Sequence, residues 1–466
     1  MKCAHFILLL FLEMTQGLSW TQQYGDPSST SFVHGLRVST PSKTTWNYSV
    51  PNDYDYYKVS FFYNSPAFSP AGVVFLPLAY SRPYPDLLFL QIRAVSHNGT
   101  ELWVSEDIHN HKTDCAGVLM TNVLYSEEHH MVIAGWDCAD SFPYYAKEGN
   151  LVGLNASNGS LLWRSENLKL NDAATISMSK DVVFVSGGFS CYLDGQILVK
   201  EQNNKSLIVG IDIVTGKFIW SEVQNHAGCR TAQTKASSSL EDGSSRFMIP
   251  VNLPGGPYLV GDLLSISCHS NNCSHAWLKH LRISYDARFA FTVDGKVMFG
   301  SYGLAGNPDQ VFGLSVETGS IIFSRRGACP PGVFPSGPAV DGQSNAYYSC
   351  GNKAFGVNSK GDIIWESKTF NDTGYTFDSL LKFSPALHLD KEFLIFVNTH
   401  STELYVLSLS DGSVQGHSSI REYSGFSGCI EPPLLVGDSV YIIKADSNSI
   451  TYLYSIPLKN ILFSKN

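Results

Sequence analysis

The sequence predicts an all-β protein that forms a single ring of eight four-stranded antiparallel blades, a β-propeller. Two observations predict it: a hairpin pattern that recurs along the chain, and a composition typical of turn-rich β-structure. The 466 residues are 44% hydrophobic, 12% aromatic and only 16% charged, with 39 glycines and 21 prolines. This composition excludes a disordered chain, a coiled coil and collagen. The net charge of −9 argues against a nucleic-acid-binding surface.

The repeated hairpin ends in an aromatic residue. Apolar and polar residues alternate on both sides of a turn, commonly Asn-Gly or Thr-Gly, and in five copies the glycine lies four residues before the aromatic. Glycine allows the positive φ that tight hairpin turns require. With three weaker copies, the predicted turns fall near residues 99, 159, 216, 273, 319, 361, 412 and 459, with Cys273 and Lys459 in place of glycine.

A second pair of strands precedes each hairpin, as in SPAGVVFLPLAY from Ser69. Each unit therefore has four strands, named A to D in chain order. Four-stranded units that recur at this interval predict propeller blades. Eight such units form one domain over residues 20–466, and a ring of seven blades is the alternative.

The N-terminus has the pattern of a secretory signal peptide. Lys2 precedes the apolar run Phe6 to Leu12, and the small residues Gly17 and Ser19 precede Trp20. Residues 1–19 are therefore expected to be removed, which leaves a secreted, extracellular protein without a membrane span; a buried first strand is the alternative. Seven Asn-x-Ser/Thr sequons agree with this route and are candidate glycosylation sites: Asn47, Asn98, Asn155, Asn158, Asn204, Asn272 and Asn371.

The hairpin that ends in Trp, with its Thr-Gly turn, resembles the pyrroloquinoline-quinone (PQQ) repeat. That repeat builds the quinoprotein alcohol dehydrogenases and a propeller lipoprotein of the bacterial outer-membrane assembly machine. The resemblance covers nearly the whole mature chain and is closest in style to the non-catalytic propellers of the family. The segment WTQQYGDPSSTSF from Trp20 is similar to the family's opening strand. The resemblance thus implies that an N-terminal strand pairs with the last blade and closes the ring.

The aromatic at the end of each hairpin is predicted to pack between adjacent blades, although a cofactor-stacking role is the alternative. These blade-docking residues are Trp103, Trp163, Trp220, Trp277, Phe323, Trp365 and Phe463. Gly416 occupies the same place without a ring, which predicts the weakest junction.

The resemblance raises the question of a quinone cofactor. Many dehydrogenases of the family carry two adjacent cysteines beside the quinone and hold a Ca²⁺ ion, and this sequence has no Cys-Cys pair. No Asp/Asn-rich calcium loop is present either. We therefore expect no cofactor, with PQQ and calcium as the alternative.

Two clusters contain residues that could bind a metal. The first joins His109, His111 and Asp114 to Glu127, Glu128, His129 and His130; the second contains Cys268, His269, Cys273 and His275. We expect polar turns in the first cluster and a disulfide across the hairpin turn in the second, since the chain is expected to be secreted.

The repeat frame suggests how the cysteines pair. Cys115–Cys138 and Cys329–Cys350 are expected to occupy equivalent places in blades 2 and 6, and Cys191–Cys229 to join blades 3 and 4. All of these lie on the face that carries the B–C and D–A loops, whereas Cys268–Cys273 lies on the opposite face. Cys429 is left over as a free thiol or an intermolecular link.

The B–C and D–A loops also hold Phe142, Tyr144, Tyr145 and Tyr302. Aromatic residues on exposed, rigid loops are typical of recognition surfaces, although they could simply cap the ring. The sequence predicts a secreted, non-enzymatic glycoprotein that binds an extracellular protein or glycan on this face. The alternative is a secreted oxidoreductase of the quinoprotein type with its site at the central channel.

Overall fold

The computed structural model describes residues 32–33, 46–49, 59–60, 66–81, 88–109, 117–139, 146–168, 175–179, 181–187, 206–224, 235–236, 240, 243–252, 260–269, 272–284, 288–302, 310–329, 335–350, 353–368, 385–388, 392–397, 403–419, 426–429, 433–446 and 451–462. Thirty-six β-strands and one short helix lie in these ranges.

The first four blades follow the chain in order. Blade 1 contains β3 (Val59–Ser60), β4 (Ala67–Phe68), β5 (Val74–Ser81), β6 (Leu88–Val95) and β7 (Glu101–Val104). Blade 2 contains β8 (Gly117–Met120), β9 (Leu124–Ser126), β10 (Met131–Ala139), β11 (Ala146–Asn155) and β12 (Leu161–Arg164). Blade 3 contains β13 (Thr175–Met178), β14 (Val182–Gly187), β15 (Ser206–Asp212) and β16 (Phe218–Gln224). Blade 4 contains β17 (Lys235–Ala236), β18 (Ser245–Asn252), β19 (Val260–His269) and β20 (Asn272–Ser284).

The other four blades complete the ring. Blade 5 contains β21 (Arg288–Phe291), β22 (Val297–Tyr302), β23 (Gln310–Ser315) and β24 (Ile321–Arg326). Blade 6 contains β25 (Ala339–Val340), β26 (Ala346–Cys350), β27 (Lys353–Val357) and β28 (Ile363–Glu366). Blade 7 contains β29 (Ala386–His388), β30 (Phe393–Val397), β31 (Glu403–Ser408) and β32 (Val414–Ser419). Blade 8 contains β33 (Phe426–Cys429), β34 (Leu434–Val436), β35 (Ser439–Asp446) and β36 (Thr451–Pro457), with β1 (Phe32–Val33) and β2 (Trp46–Ser49) added from the N-terminus.

Strands A to D of each blade are antiparallel with strand A innermost, except that in blade 8 β1 adds in parallel to the inner side of strand A. The A strands of neighbouring blades contact each other around the ring, for example β9 with β13 and β25 with β29. In blades 1, 2 and 8 strand A is split into two short strands that pair with the same strand B. The prediction of an all-β ring with eight blades is confirmed, and the seven-bladed alternative is excluded.

A β-bulge precedes the docking position in blades 1 to 7, which is an aromatic in all of them except blade 7, where it is Gly416. In blade 2, Leu154 pairs with Leu161 while the preceding Gly153 pairs with Trp163, so Leu162 is the extra residue. The pairing of strands C and D shifts by one residue at the same place in the other six blades. A bulge bends an edge strand and re-aims its side chains, and here the next side chain packs against the following blade.

The docking aromatics contact the C–D turn of the next blade. The indole Nε1 of each of four residues donates to a backbone oxygen there: Trp103 to Ala156 at 3.0 Å, Trp163 to Ile213 at 2.9 Å, Trp277 to Val316 at 3.0 Å and Trp365 to Leu409 at 2.7 Å. The turn glycine that meets Trp163 is Gly216, whose φ of 69° and close contact with the indole leave no room for a side chain. Phe323 packs in the same way on Gly361.

Two junctions differ from this pattern. Blade 4 has no turn glycine, and Trp220 packs into a cluster that contains Cys273, which is bonded to Cys268. At Gly416 a Cβ atom would lie 2.7 Å from the backbone oxygen of Ile461, because the helix α1 (Leu458–Leu462) packs directly on this glycine. A helix thus packs into the junction between blades 7 and 8, which the missing ring led us to expect as the weakest.

The closure of the ring differs in detail from the prediction. The predicted hairpin turn at Lys459 is wrong, since Lys459 lies in α1. The fourth strand of blade 8 is instead β2, which pairs antiparallel with β36. In this pairing Trp46 lies opposite Ser455 and thus holds the register position that a docking aromatic has in the other blades. The predicted residues Phe463 and Trp20 lie outside the described residues. β2 thus closes the ring as strand D, 26 residues beyond the start of the predicted segment. Phe32, the last residue of that segment, lies in β1 and pairs with strand A of the same blade.

Candidate functional site

The two faces of the ring are built from different connections. The A–B and C–D turns form one face, called here the turn face. The B–C and D–A connections form the other, called here the loop face. Cys329–Cys350 lies on the loop face and Cys268–Cys273 on the turn face. The loop face is where the sequence analysis predicts binding.

A serine two residues after the docking Trp fixes the start of the D–A connection in three blades. The buried hydroxyl of Ser105 accepts the backbone N–H of Ile92 at 3.0 Å and donates to the carbonyl oxygen of Glu106 at 2.8 Å. Ser165 and Ser367 repeat both hydrogen bonds in blades 2 and 6. The hydroxyl thereby satisfies backbone groups at the end of strand D. This Trp-x-Ser signal was missed in the sequence analysis, although it is visible there.

Four residues after the serine position, the connections of blades 1 and 5 are anchored to the next blade. In blade 1, His109 lies six residues after Trp103 and packs edge-on against Trp136 of blade 2, with ring centroids 4.6 Å apart. In blade 5, Cys329 lies six residues after Phe323 and is bonded to Cys350 of blade 6.

Trp136 and Cys350 are equivalent by strand register. Each lies three residues after the strand-B residue that pairs with a glycine on strand C. These pairs are Ile133 with Gly153 in blade 2 and Tyr347 with Gly356 in blade 6. A ring contact and a disulfide therefore hold the same loop in the same place at two junctions. Burial of Trp136 and Cys350 removes both anchors from solvent.

This register corrects one expectation about the cysteines. Cys138 lies two residues beyond Trp136 and faces Val118 and Glu148 in the sheet, so it is not equivalent to Cys350. Cys115, Cys191 and Cys229 lie outside the described residues, and Cys429 ends β33 opposite Lys444. The pairs Cys115–Cys138 and Cys191–Cys229 stay predictions.

Most of the predicted binding aromatics lie outside the described residues. These are Phe142, Tyr144 and Tyr145, in the connection between β10 and β11. Tyr302 ends β22 opposite Gln310, at the loop-face end of strand B in blade 5.

The first candidate metal cluster is divided between the two faces. His109 lies on the loop face, whereas Glu127, Glu128, His129 and His130 form the A–B turn of blade 2 on the turn face; His111 and Asp114 lie outside the described residues. In the second cluster both cysteines are used in the disulfide, and the ring of His275 lies 6.1 Å from that of Trp220. Within the described ranges, no three or more His, Cys, Asp or Glu side chains are grouped so as to hold a metal ion.

Four of the sequons lie at C–D turns on the turn face. Asn98, Asn158 and Asn272 are exposed, and Asn155 is half-buried. Asn47 lies in β2 opposite Tyr454, and Asn204 and Asn371 lie outside the described residues.

The innermost part of the ring is partly filled by the N-terminal segment. β1 pairs in parallel with β34, Phe32 opposite Leu435 and Val33 opposite Val436, on the axial edge of blade 8, and it also contacts β29 of blade 7. Between blades 2 and 3 the Asn122 amide bridges the innermost strands, since it donates to the oxygen of Ile176 at 2.9 Å and accepts its N–H at 2.8 Å.

The described residues therefore do not fit a quinone with its cation. The axial edge of blade 8 is already paired with β1, and the described part of the chain groups no set of carboxylates or imidazoles for a metal. No chemical step through a quinone follows from these residues.

A buried polar cluster joins the closing strand to blade 1. Arg93 Nη1 donates to Glu101 Oε2 at 2.7 Å, and the Tyr48 hydroxyl donates to the same carboxylate oxygen. Burial, followed by the hydrogen bond to Glu101, raises the pKa of Tyr48 to about 12. The phenol therefore stays protonated as a donor at neutral pH.

The helix α1 has five residues, and the described chain holds no helix that could span a bilayer.

Comparison with known proteins agrees with this architecture. Residues 90–250 match the family model described as outer membrane protein assembly factor BamB. A europium-containing methanol dehydrogenase is similar with a TM-score of 0.56 and 12% identity, over 97% of this chain and 100% of that one. The quinohemoprotein alcohol dehydrogenase from Comamonas testosteroni gives 0.54 and 9%, over 96% and 82%. The Dos1 propeller gives 0.53 and 10%, over 81% and 88%.

At such identities the likeness to solved structures shows the fold alone. None of the curated proteins matches the chain in sequence. The repeated hairpin, the match over residues 90–250 and the eight four-stranded blades together support a relationship to the PQQ-repeat β-propeller family.

Proposed function

We propose that this chain is a secreted glycoprotein whose propeller binds an extracellular protein or glycan through the loop face and performs no catalysis. In this proposal residues 1–19 are a signal peptide, and residues 20–466 form the mature ring. The family likeness leaves the function open, because one fold supports unrelated functions.

The observation that carries the proposal is the anchoring of the D–A connections. At two junctions the connection is held by an inter-blade contact, His109 on Trp136 and Cys329 bonded to Cys350. A connection that is anchored before a ligand arrives loses less conformational entropy on binding. Rigidly supported loops are where binding residues concentrate on a scaffold.

The covalent structure supports the proposed compartment. Cys268–Cys273 and Cys329–Cys350 are disulfides, which persist in oxidising compartments such as the secretory route. The three exposed sequons at C–D turns lie on the turn face, so glycans there leave the loop face free.

The competing function is a quinone-dependent oxidoreductase with its site at the central channel. It rests on likeness of fold to two dehydrogenases. The described residues offer no group of metal-ligating side chains for its cation, and β1 already pairs with the inner strand of blade 8. We therefore prefer the binding function.

A pair of positions on blade 5 allows a direct test. Arg326 is exposed at the loop-face end of strand D, and Thr318 is exposed in the C–D turn on the turn face. A photo-cross-linking amino acid is placed at one or the other position in the purified mature chain. Each protein is irradiated in the native extracellular fluid, and covalent products are identified by mass spectrometry.

The proposal predicts a specific product from the Arg326 position and none from Thr318. Products from Thr318 alone would assign binding to the turn face and contradict the proposal. In parallel, the mature chain is mixed with PQQ and Ca²⁺ and assayed for dye reduction with alcohols and sugars. Turnover that needs the quinone would favour the oxidoreductase instead.

A further inference from the structure

Two blades expose the same apolar pair on their outer strand. In blade 2, Leu161 and Leu162 are 48% and 49% exposed; in blade 5, Ile321 and Ile322 are 55% and 47% exposed. Strand D is the edge of each sheet, and an apolar edge strand is a template for pairing with another chain. Both blades therefore need a feature that discourages edge-to-edge association.

Blade 5 has charged residues on this edge. β24 ends with Arg325 and Arg326, both of which are exposed; Arg325 donates from Nη1 to the carbonyl oxygen of Gly361 at 3.1 Å. Cations on an edge strand oppose pairing with a second copy.

Blade 2 has no such exposed pair of cations. The charge of β12 is Arg164, which is half-buried and donates from Nη1 to the carbonyl oxygen of Ile108 at 2.6 Å. Its guanidinium is committed to the neighbouring connection rather than presented at the edge.

Blade 2 has a sequon where blade 5 has none. Asn158-Gly159-Ser160 in blade 2 corresponds to Thr318-Gly319-Ser320 in blade 5. Asn158 is exposed at the tip of the turn, three residues before Leu161. Its Oδ1 accepts the N–H of Ser160 at 3.0 Å, so the carbonyl faces the turn and the amide nitrogen is left for another bond.

The second sequon of the same turn is less accessible. Asn155 is half-buried at the end of β11, where it pairs with Met131. The hydroxyl of its sequon serine, Ser157, is hydrogen-bonded to His130 Nε2 at 2.8 Å. At Asn155 the sequon hydroxyl is thus engaged and the asparagine is half-buried, whereas Asn158 and its sequon serine Ser160 are both exposed.

We propose that Asn158, and not Asn155, carries an N-linked glycan that shields the Leu161–Leu162 edge of blade 2. The proposal rests on the secretion proposed above, which supplies the donor. In the transfer, the amide nitrogen of Asn158 bonds to the anomeric carbon of a lipid-diphosphate-linked oligosaccharide and loses one proton, and the lipid diphosphate leaves. The attached glycan then blocks the approach of another edge strand.

The arrangement recurs in blade 1. Asn98 is exposed in the C–D turn, and Leu102, four residues later, is 53% exposed. A shielding role thus explains why sequons lie beside apolar edges in two successive blades.

Occupancy is tested on the full chain secreted from a eukaryotic host. Amidase treatment in ¹⁸O water converts each glycosylated Asn to labelled Asp, which peptide mass spectrometry then locates. Label at residue 158 without label at 155 is expected. Label at 155 alone, or at neither residue while other sequons are labelled, would overturn this inference but leave secretion intact. An unlabelled chain that retains residues 1–19 would refute both proposals.

Shielding is tested by light scattering on three variants, Asn158→Gln, Asn155→Gln, and Asn158→Gln combined with Leu161→Ser and Leu162→Ser. Asn158→Gln should raise the weight-average mass with concentration, up to about twofold for a dimer. Asn155→Gln and the combined variant should stay monomeric like the unsubstituted protein. A monomeric Asn158→Gln protein would contradict the shielding role.

As a control for misfolding of the variants, the glycans are trimmed enzymatically from secreted protein that has already folded. The trimmed unsubstituted protein should associate, and a trimmed Leu161→Ser/Leu162→Ser protein should not. Equal association of the two would show that the apolar pair is not the edge being shielded, and would overturn the inference.

Discussion

The imidazole of His109 packs edge-on against the indole of Trp136, at an interplanar angle of 88°. Cys329 and Cys350 occupy the corresponding places between blades 5 and 6, where they form a disulfide. One junction is thus held by ring packing and the other by a covalent bond, and the two can be compared in the same protein.

Removal of the covalent anchor should destabilise the ring more than removal of the aromatic one. Cys329→Ser with Cys350→Ser should lower the free energy of unfolding by about 3 kcal/mol, because it releases a loop with a sequence separation of 21. His109→Ala should lower it by about 1 kcal/mol through loss of the ring contact. Urea denaturation followed by fluorescence measures both, and an equal effect would contradict the stated difference.

Truncation of a docking Trp should be among the most destabilising single changes. Trp365 is 8% exposed and donates to the oxygen of Leu409, so Trp365→Ala should cost about 3–5 kcal/mol. Trp365→Phe keeps most of the packing but leaves that oxygen without its donor, and should cost about 1–2 kcal/mol. Its neighbour Ile364 is 42% exposed, and Ile364→Thr should change stability by less than about 0.5 kcal/mol. A large effect of Ile364→Thr in thermal unfolding would refute the assignment of the two side chains.

The junction between blades 7 and 8 should not tolerate a side chain at Gly416. A Cβ there would lie 2.7 Å from the oxygen of Ile461 and 2.9 Å from the Cα of Leu462, so Gly416→Ala should displace α1 and cost about 1–3 kcal/mol. The control is Gly342→Ala, since a Cβ at Gly342 meets nothing within 4 Å. Differential scanning calorimetry of both variants decides the point: similar melting temperatures would mean that α1 does not pack on Gly416.

Alkaline pH should weaken the ring through buried tyrosines. Burial raises the pKa of Tyr48, Tyr125 and Tyr441 to about 12, above the ordinary tyrosine value of 10.0. A folded-state pKa above the unfolded value gives stability that is complete below pH 10 and is lost as the pH rises through about 12. Ultraviolet titration should show a late-ionising group of tyrosines, and Tyr48→Phe should make that group smaller. If Tyr48→Phe leaves the late phase unchanged, Tyr48 is not buried at the closure.

The blades could be predicted because most of the C–D hairpins carry their own local signal. A glycine at positive φ and an aromatic four residues later are both required by the packing of one blade on the next. The closure could not be predicted in the same way. Strand D of blade 8 is separated from its strand C by nearly the whole chain, so no turn joins Trp46 to Ser455 for a pattern to reveal.

The loop face is harder to predict from sequence because its connections differ in length. Residues at equivalent places in two blades therefore need not have equal spacing in the sequence. For this reason the sequence suggested that Cys138 is equivalent to Cys350, whereas the strand register shows that Trp136 is the residue equivalent to Cys350. The serine after the docking Trp, by contrast, keeps a fixed spacing in blades 1, 2 and 6. It could have indicated from sequence alone where strand D ends.

The pairing of β2 with β36 has a consequence for biosynthesis. Residues 46–49 are synthesised before any blade, yet their partners, residues 452–455, follow about 400 residues later. At usual rates of translation this delay lasts roughly 20 to 80 s. Throughout that time β2 must stay unpaired while seven blades form. The nascent chain is therefore most exposed to misassembly just before its last blade is synthesised.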